Sequence, residues 1–106
     1  MSKVTFVLQL DRTGTPGTAA RLWLDTSRDG ILQPGEEVTM ATVDGKLWIA
    51  RKDVSPPTAG MQFLLKFIAP IGTKWSFVAS SEQSELYAAK DQQTTTTQEI
   101  LAGRLS

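Results

Sequence analysis

The chain has 106 residues, of which eleven are basic and eleven are acidic, so its formal net charge at pH 7 is zero. This length suits one domain with one core, and the absence of net charge or a Lys/Arg run argues against nucleic acid and membrane surfaces as partners. The sequence contains neither cysteine nor histidine, which excludes disulfides, thiolate nucleophiles, imidazole bases and the usual zinc ligands. We therefore expect one non-catalytic domain over residues 1–106.

The N-terminal segment MSKVTFVLQL lacks the charged and apolar regions of a signal peptide, and no apolar run is long enough for a membrane span. We expect a soluble protein without a signal peptide in this chain. The sequence does not indicate its compartment. An intracellular protein and a domain cut from a secreted protein are both compatible with it, and the second would be extracellular.

Apolar residues that alternate with polar ones, separated by Gly/Pro-rich segments, predict a series of short strands. In chain order, the predicted strands cover residues 4–10, 21–24, 38–43, 46–52, 61–69, 74–79 and 85–89. Residues 12–20 and 55–60 read as loops, and Asp44-Gly45 as a hairpin turn. The C-terminal residues 98–105 fit either a final strand or a frayed helical turn.

About seven or eight short strands without a long helix predict an all-β domain, either a single antiparallel β-sandwich of the Ig-like or starch-binding-like kind or a small barrel. We favour the sandwich. Strand parity gives a predicted set of inward side chains: Val4, Phe6, Leu8, Leu22, Leu24, Val38, Met40, Leu47, Ile49, Phe63, Leu65, Phe67 and Phe77.

The segment DTSRDGILQPGEE, which begins at Asp25, alternates oxygen-bearing side chains. A calcium-binding loop takes ligands from positions 1, 3, 5, 7 and 12, the seventh through its backbone carbonyl, and has glycine at position 6. Counted from the first aspartate, these ligand positions are Asp25, Ser27, Asp29, Ile31 and Glu36, and the sixth is Gly30. The pattern predicts a Ca2+ site. The alternative is a solvated turn in which the glycine takes a positive φ and the acids face water.

This spacing resembles that of an EF-hand calcium loop, but the flanking segments RLWL and EVTMATV are strand-like where an EF-hand has helices. It is also similar to the loops of some calcium-stapled bacterial β-domains, in which such a segment joins two strands. That resemblance implies a bound ion that orders the loop and stabilises the domain without catalysis.

The segment KLWIARKDVSPPTAGMQFLLKFIAPIGTKW resembles the second half of a starch-binding module of carbohydrate-binding family 20 or 48. The likeness consists of a Leu-Trp strand, a Pro/Gly loop, a Phe-x-x-Lys-Phe strand and a lone later tryptophan. In those modules the lysine and the later tryptophan contact glucan, which implies Lys66 and Trp75 as ligand-binding residues. Trp48 is a further candidate, because its parity is opposite to that of Leu47 and Ile49.

Two features differ from that family. The acidic segment stands where the family has a Leu-Gly-x-Trp stretch, and SSEQSE stands where an Asn-Arg pair would follow the last tryptophan. The fold could carry over without the sugar site, which would leave Trp75 in the core and Lys66 on the solvated surface. We therefore consider two functions, a carbohydrate-binding module and a calcium-stabilised structural, adhesion or protein-interaction module. The partner would be a polysaccharide or a protein.

Overall fold

The computed structural model describes residues 2–11, 20–42, 44–55, 58–82 and 84–106. The described part contains nine strands, one short 3-10 turn and no α-helix, which confirms the all-β class. The strands are β1 (Ser2–Leu10), β2 (Ala20–Leu24), β3 (Glu37–Val38), β4 (Ala41–Thr42), β5 (Leu47–Val54), β6 (Gln62–Ile68), β7 (Lys74–Ser80), β8 (Glu85–Gln93) and β9 (Gln98–Arg104). No helix among the described residues has the length and apolar character needed to cross a bilayer.

The strands form two antiparallel sheets that pack face to face. Sheet A has five strands in the order β4-β5-β1-β7-β8, and sheet B has four in the order β3-β2-β6-β9. Since the buried apolar side chains of both sheets form one hydrophobic core, this architecture agrees with the predicted antiparallel β-sandwich.

The predicted strand at residues 38–43 is divided between the two sheets. Its first part belongs to β3, which pairs with β2 in sheet B, whereas β4 pairs with β5 in sheet A. This division raises the number of strands above the expected seven or eight. Val43 and most of the predicted loop at 12–20 lie outside the described residues, as do the two central prolines of the loop at 55–60.

The C-terminal segment forms a strand rather than a helical turn, because β9 pairs along its whole length with β6. Strand β8 is longer than predicted and continues through the polar run as far as Gln93, which pairs with Lys74. Backbone hydrogen bonds to β7 hold this extension, and they do not require an apolar side-chain pattern.

The predicted core is correct apart from strand β5. Eleven of the predicted inward residues are buried, but Leu47 is exposed and Ile49 is only half-buried. The parity prediction for this strand was therefore wrong, and Trp48 is the residue that faces the core. The reason is the register, in which Trp48 pairs with the fully buried Leu8 and so shares its face of sheet A. The indole N–H donates to the carbonyl of Gly45 at 3.1 Å, which satisfies its polar atom.

Aromatic rings join the two sheets at the centre of the core. Phe77 of sheet A lies 5.5 Å from Phe63 of sheet B, measured between ring centroids, and 6.1 Å from Phe6. Tyr87 meets Phe63 edge to face at 4.8 Å. This cluster fixes the distance between the sheets, and hence the position of the loops that connect them.

Candidate functional site

The loop that contains the predicted calcium ligands, residues 25–36, connects β2 to β3. Its first residue, Asp25, donates its backbone N–H to the carbonyl of Gln62 at 2.9 Å and thereby extends the pairing of β2 with β6. The Asp25 side chain is only 3 % exposed. Its two carboxylate oxygens accept hydrogen bonds from the Ser27 hydroxyl at 3.2 Å and from the Gly30 N–H at 2.9 Å. These bonds compensate for the burial of a charged group.

Glu36 closes the other end of the loop from a short 3-10 turn, Pro34–Glu36. One carboxylate oxygen of Glu36 accepts the Ser27 N–H at 3.0 Å and the Ser27 hydroxyl at 3.1 Å, and the other accepts the Gln33 N–H at 3.0 Å. The two backbone hydrogen bonds, that from Ser27 first, lower the pKa of Glu36 below its usual value. This side chain is therefore ionised at neutral pH.

Asp29 lies between these two acids in the sequence and is held by the following turn. Its oxygens accept the Ile31 N–H and the Gln33 side-chain amide, each at 3.0 Å. The hydrogen bond from the Ile31 backbone is the main cause of a lowered Asp29 pKa. Asp29 is thus also available as an anionic oxygen ligand at neutral pH.

The loop brings three of the predicted ligands together. One carboxylate oxygen from each of Asp25, Asp29 and Glu36 lies within 4.8 Å of the other two. No ion pair between described residues involves any of these carboxylates. Such an acidic cluster could hold a metal ion, because carboxylate oxygens that converge on one point provide the donor set of a hard cation.

The two remaining predicted ligands differ in how far the structure supports them. The Ser27 hydroxyl lies within hydrogen-bonding distance of both Asp25 and Glu36 and has one proton to share between them, so it lies at the cluster. Ile31 approaches it through its backbone N–H, and the role of its carbonyl oxygen as a ligand stays a prediction. Gly30 has a φ of 81°, which both the calcium loop and the solvated turn require.

A cavity of about 300 Å³ lies beside Asp25, and two arginine side chains line it. The sequence did not indicate that either of them would lie at this cavity. Its lining includes Arg28 of the loop and Arg104 at the end of β9. The Arg28 guanidinium donates to the carbonyl of Ser55. No local sequence pattern relates residue 104 to residue 25; the order β2-β6-β9 brings them together. Both arginines therefore share the lining of this cavity with Asp25.

The structure does not bring the three predicted sugar-binding residues together. Trp75 and Trp48 are on sheet A, with only 8 % and 9 % of their surface exposed, whereas Lys66 is on β6 of sheet B. The Trp75 ring packs edge to face against Phe67 at 5.1 Å. A stacking platform needs an exposed ring face, and these two rings are largely enclosed by the core. Glucan binding by this set stays a prediction.

Lys66 lies beside a different tryptophan. Its ammonium nitrogen is 5.5 Å from the ring centroid of Trp23, and the guanidinium carbon of Arg21 is 4.9 Å from the same centroid. These contacts lie on the outer face of sheet B, where Arg21 pairs with Lys66 across β2 and β6. Arg21 also donates two hydrogen bonds to Glu37. Trp23 is half-buried, so part of its ring remains accessible.

Comparison with known proteins gave no relative. A scan against models of protein families, a search of curated proteins and a search of solved structures each found no match to this chain.

Proposed function

We propose that this chain is a non-catalytic β-sandwich binding module in which Ca2+ occupies the β2–β3 loop and stabilises the fold. The convergence of Asp25, Asp29 and Glu36 within 4.8 Å is the observation that carries the proposal. Ligands on opposite sides of a calcium ion are about 4.6–5.2 Å apart, because each Ca–O distance is about 2.3–2.6 Å. The three oxygens therefore fit inside one calcium coordination sphere.

Ca2+ is favoured over Mg2+ by the nature of the loop. Magnesium requires a nearly ideal octahedron at about 2.0–2.1 Å and gives up its waters reluctantly, whereas calcium accepts irregular sets of protein oxygens. The carboxylates here belong to one irregular loop, and the Ser27 hydroxyl is a further oxygen beside them. A bound ion would join the end of β2 to the start of β3 and so fix the edge of sheet B.

Thermal unfolding in the presence of Ca2+ tests this role. An ion that binds only the folded state stabilises it by about 2.7 kcal/mol when its concentration is a hundred times its dissociation constant. We therefore expect the melting temperature of the metal-free protein to rise with added CaCl2 and to fall again with excess chelator. Asp29→Asn should abolish most of this rise, because it removes one anionic ligand.

The matched control is Asp44→Asn, which neutralises an exposed aspartate in the β4–β5 turn, outside the acidic cluster. This variant should keep the full response to calcium. If the melting temperature of the wild type does not change with calcium, or if both variants respond equally, the proposed ion site is wrong and the loop is a solvated turn.

Carbohydrate binding is the second candidate function, and the observation that favours it is the accessible Trp23 on the outer face of sheet B. Lys66 and Arg21 lie over the partly buried Trp23 ring, so a sugar would stack on this indole once these long side chains move aside, and they would then supply polar donors beside it. This differs from the pair that the starch-binding resemblance implies, because Lys66 approaches Trp23 rather than Trp75.

Affinity electrophoresis on amylose and other glucans, with Trp23→Ala as the variant, tests this candidate. We expect the glucan to retard the wild type and the variant to migrate as it does without glucan. Trp75→Phe is the control, because a buried ring should not contribute directly to sugar contacts. An unretarded wild type with unchanged tryptophan fluorescence would exclude glucan binding.

A further inference from the structure

The four edges of the two sheets differ in how far they resist the addition of another strand. Strands β3 and β4 contain only two residues each. The part of β5 that extends beyond β4 carries Arg51, Lys52 and Asp53. Short strands and charged side chains hinder edge-to-edge pairing. These two sides of the sandwich are therefore poor templates for an added strand.

Strand β8 is long but irregular. Its pairing with β7 shifts register twice, and Asp91 has a φ of 58°. Glu85 and Lys90 add charges along it. Bulges and charges of this kind protect an exposed edge. Strand β9, by contrast, contains seven residues and pairs with β6 without any shift.

The backbone of β9 has unpaired groups at alternate residues. The Leu105 N–H donates to Met61 and the Thr97 carbonyl accepts from Ala69, so the odd-numbered residues turn towards β6. Because these directions alternate in an antiparallel ladder, the N–H and C=O groups of Gln98, Ile100, Ala102 and Arg104 point to the free edge. Of these four residues, only Gln98 has such a group bonded to another described residue, through its carbonyl and the Thr96 hydroxyl.

The side chains at this edge are apolar where the edge is most accessible. Ile100 is 57 % exposed, and Ile68 on the neighbouring strand is 45 % exposed. Ala102 is also exposed. The one acid of the strand, Glu99, is half-buried and accepts hydrogen bonds from the N–H groups of Thr95 and Thr96. It is therefore held in the β8–β9 turn, away from the centre of the edge.

We propose that two copies of this chain form a symmetric dimer by antiparallel pairing of their β9 strands, with Leu101 opposite Leu101 of the second copy. In this register Ile100 faces Ala102 of the second copy and Gln98 faces its Arg104. Each of the four residues whose backbone groups point to the free edge then pairs with another such residue of the second copy. No two residues of like charge lie opposite each other. A two-fold axis requires such self-complementarity, and β9 provides it with its own sequence.

The dimer would join the two copies of sheet B into one continuous sheet. On its outer face Ile100 of each copy would lie directly beside Ala102 of the other, which shields part of the exposed Ile100 side chain from water. The proposal is argued from the free edge of β9 and does not require calcium or sugar binding, although Arg104 also lines the cavity beside Asp25 and Gln98 lies near Lys66 and Trp23.

Sedimentation velocity over a concentration series tests the dimer, with Ala102→Pro as the first variant. Proline removes the N–H that points to the free edge and leaves the hydrogen bonds to β6 in place. We expect a reversible dimer for the wild type and a dissociation constant at least about tenfold higher for the variant. Ala102→Val, which keeps the N–H, is the matched control and should dimerise like the wild type.

A pair of oppositely charged variants tests the register. If their mixture forms a dimer, both variants are folded. One copy carries Ile100→Lys with Ala102→Lys, and a second carries Ile100→Glu with Ala102→Glu. Each alone should be monomeric, and their mixture should form a one-to-one dimer, since residue 100 of one copy faces residue 102 of the other. A wild type that is monomeric at every concentration, an Ala102→Pro variant that dimerises normally, or a mixture that stays monomeric would overturn the proposal.

Discussion

Asp25 is a charged residue that is buried where the chain leaves strand β2. Leu24 and Asp25 are adjacent and both are buried, although neighbouring strand residues normally face opposite sides of a sheet. The carboxylate can be buried because it accepts two hydrogen bonds from its own loop. The same oxygens lie near those of Asp29 and Glu36. The arrangement that allows Asp25 to be buried therefore also places its carboxylate oxygens at the acidic cluster.

Two glycines of the loop allow the cost of backbone strain to be measured without the cost of a steric clash. Gly30 and Gly35 both have open space where a Cβ would be added, but only Gly30 has a positive φ, of 81°. We expect Gly30→Ala to lower the free energy of unfolding by about 1–2 kcal/mol, the cost of the left-handed region for an L-residue. Urea unfolding of the metal-free protein measures it.

Gly35→Ala is the control for that measurement. Because its backbone does not require a positive φ, alanine should be neutral or should stabilise the protein by about 0.4–1 kcal/mol through the unfolded chain. Equal losses for both variants would show that the conformation of Gly30 is not the cause.

At the scale of an element, the β4–β5 turn is held by one carboxylate. Asp44 accepts the N–H of Lys46 at 2.9 Å and that of Leu47 at 3.1 Å, while Gly45 takes a φ of 76°. The Thr42 hydroxyl accepts the Gly45 N–H at 2.8 Å. This turn leads directly into β5, whose pairing with β1 places Trp48 in the core.

The stability of this turn should depend on pH. The hydrogen bonds from Lys46 and Leu47 lower the Asp44 pKa. A carboxylate with a lowered folded-state pKa stabilises the protein fully above its unfolded pKa, of about 3.9, and loses this contribution as the pH falls through the folded value. Asparagine accepts the same bonds without titrating. Chemical denaturation of the wild type and Asp44→Asn between pH 7 and pH 2 should therefore give a difference that changes only below about pH 4. Parallel curves would contradict this role.

At the scale of the whole molecule, the two sheets depend on one another through the aromatic cluster. Phe77 touches rings on both sheets: Phe6 beside it on sheet A and Phe63 opposite it on sheet B. Antiparallel sheets that share one core are expected to unfold together, because neither can bury its apolar face alone.

Phe77→Ala should therefore destabilise both sheets at once. Truncating a fully buried phenylalanine costs about 3–5 kcal/mol, including the cavity that it leaves. We expect far-UV circular dichroism and tryptophan fluorescence to report the same lowered denaturation midpoint. Ile71→Ala removes a side chain that is 63 % exposed and should change stability by less than about 0.5 kcal/mol. Two separate transitions in Phe77→Ala would show that the sheets unfold independently.

The sequence alone determined the fold class and most of the core. The period-two pattern of β1 and β6 identifies Phe6, Phe63 and Leu65 as inward residues, and all three are buried. It also determined which carboxylates to consider for a metal ion, because the spacing of Asp25, Asp29 and Glu36 is local. A loop of this length can bring its own side chains together with little help from the rest of the chain.

Only the tertiary structure decided the surroundings of the three tryptophans. Trp48 is buried because pairing with β1 selects the face of β5, and no pattern within β5 contains that information. Lys66 lies beside Trp23 because β2 and β6 are neighbours in sheet B, while Trp75 belongs to sheet A. Alternation along a strand defines two faces but does not say which strand will lie next to it or which face will be covered. Those outcomes depend on contacts between residues far apart in the chain. They determine whether a tryptophan lies in the core or on the surface, where it could contact a sugar.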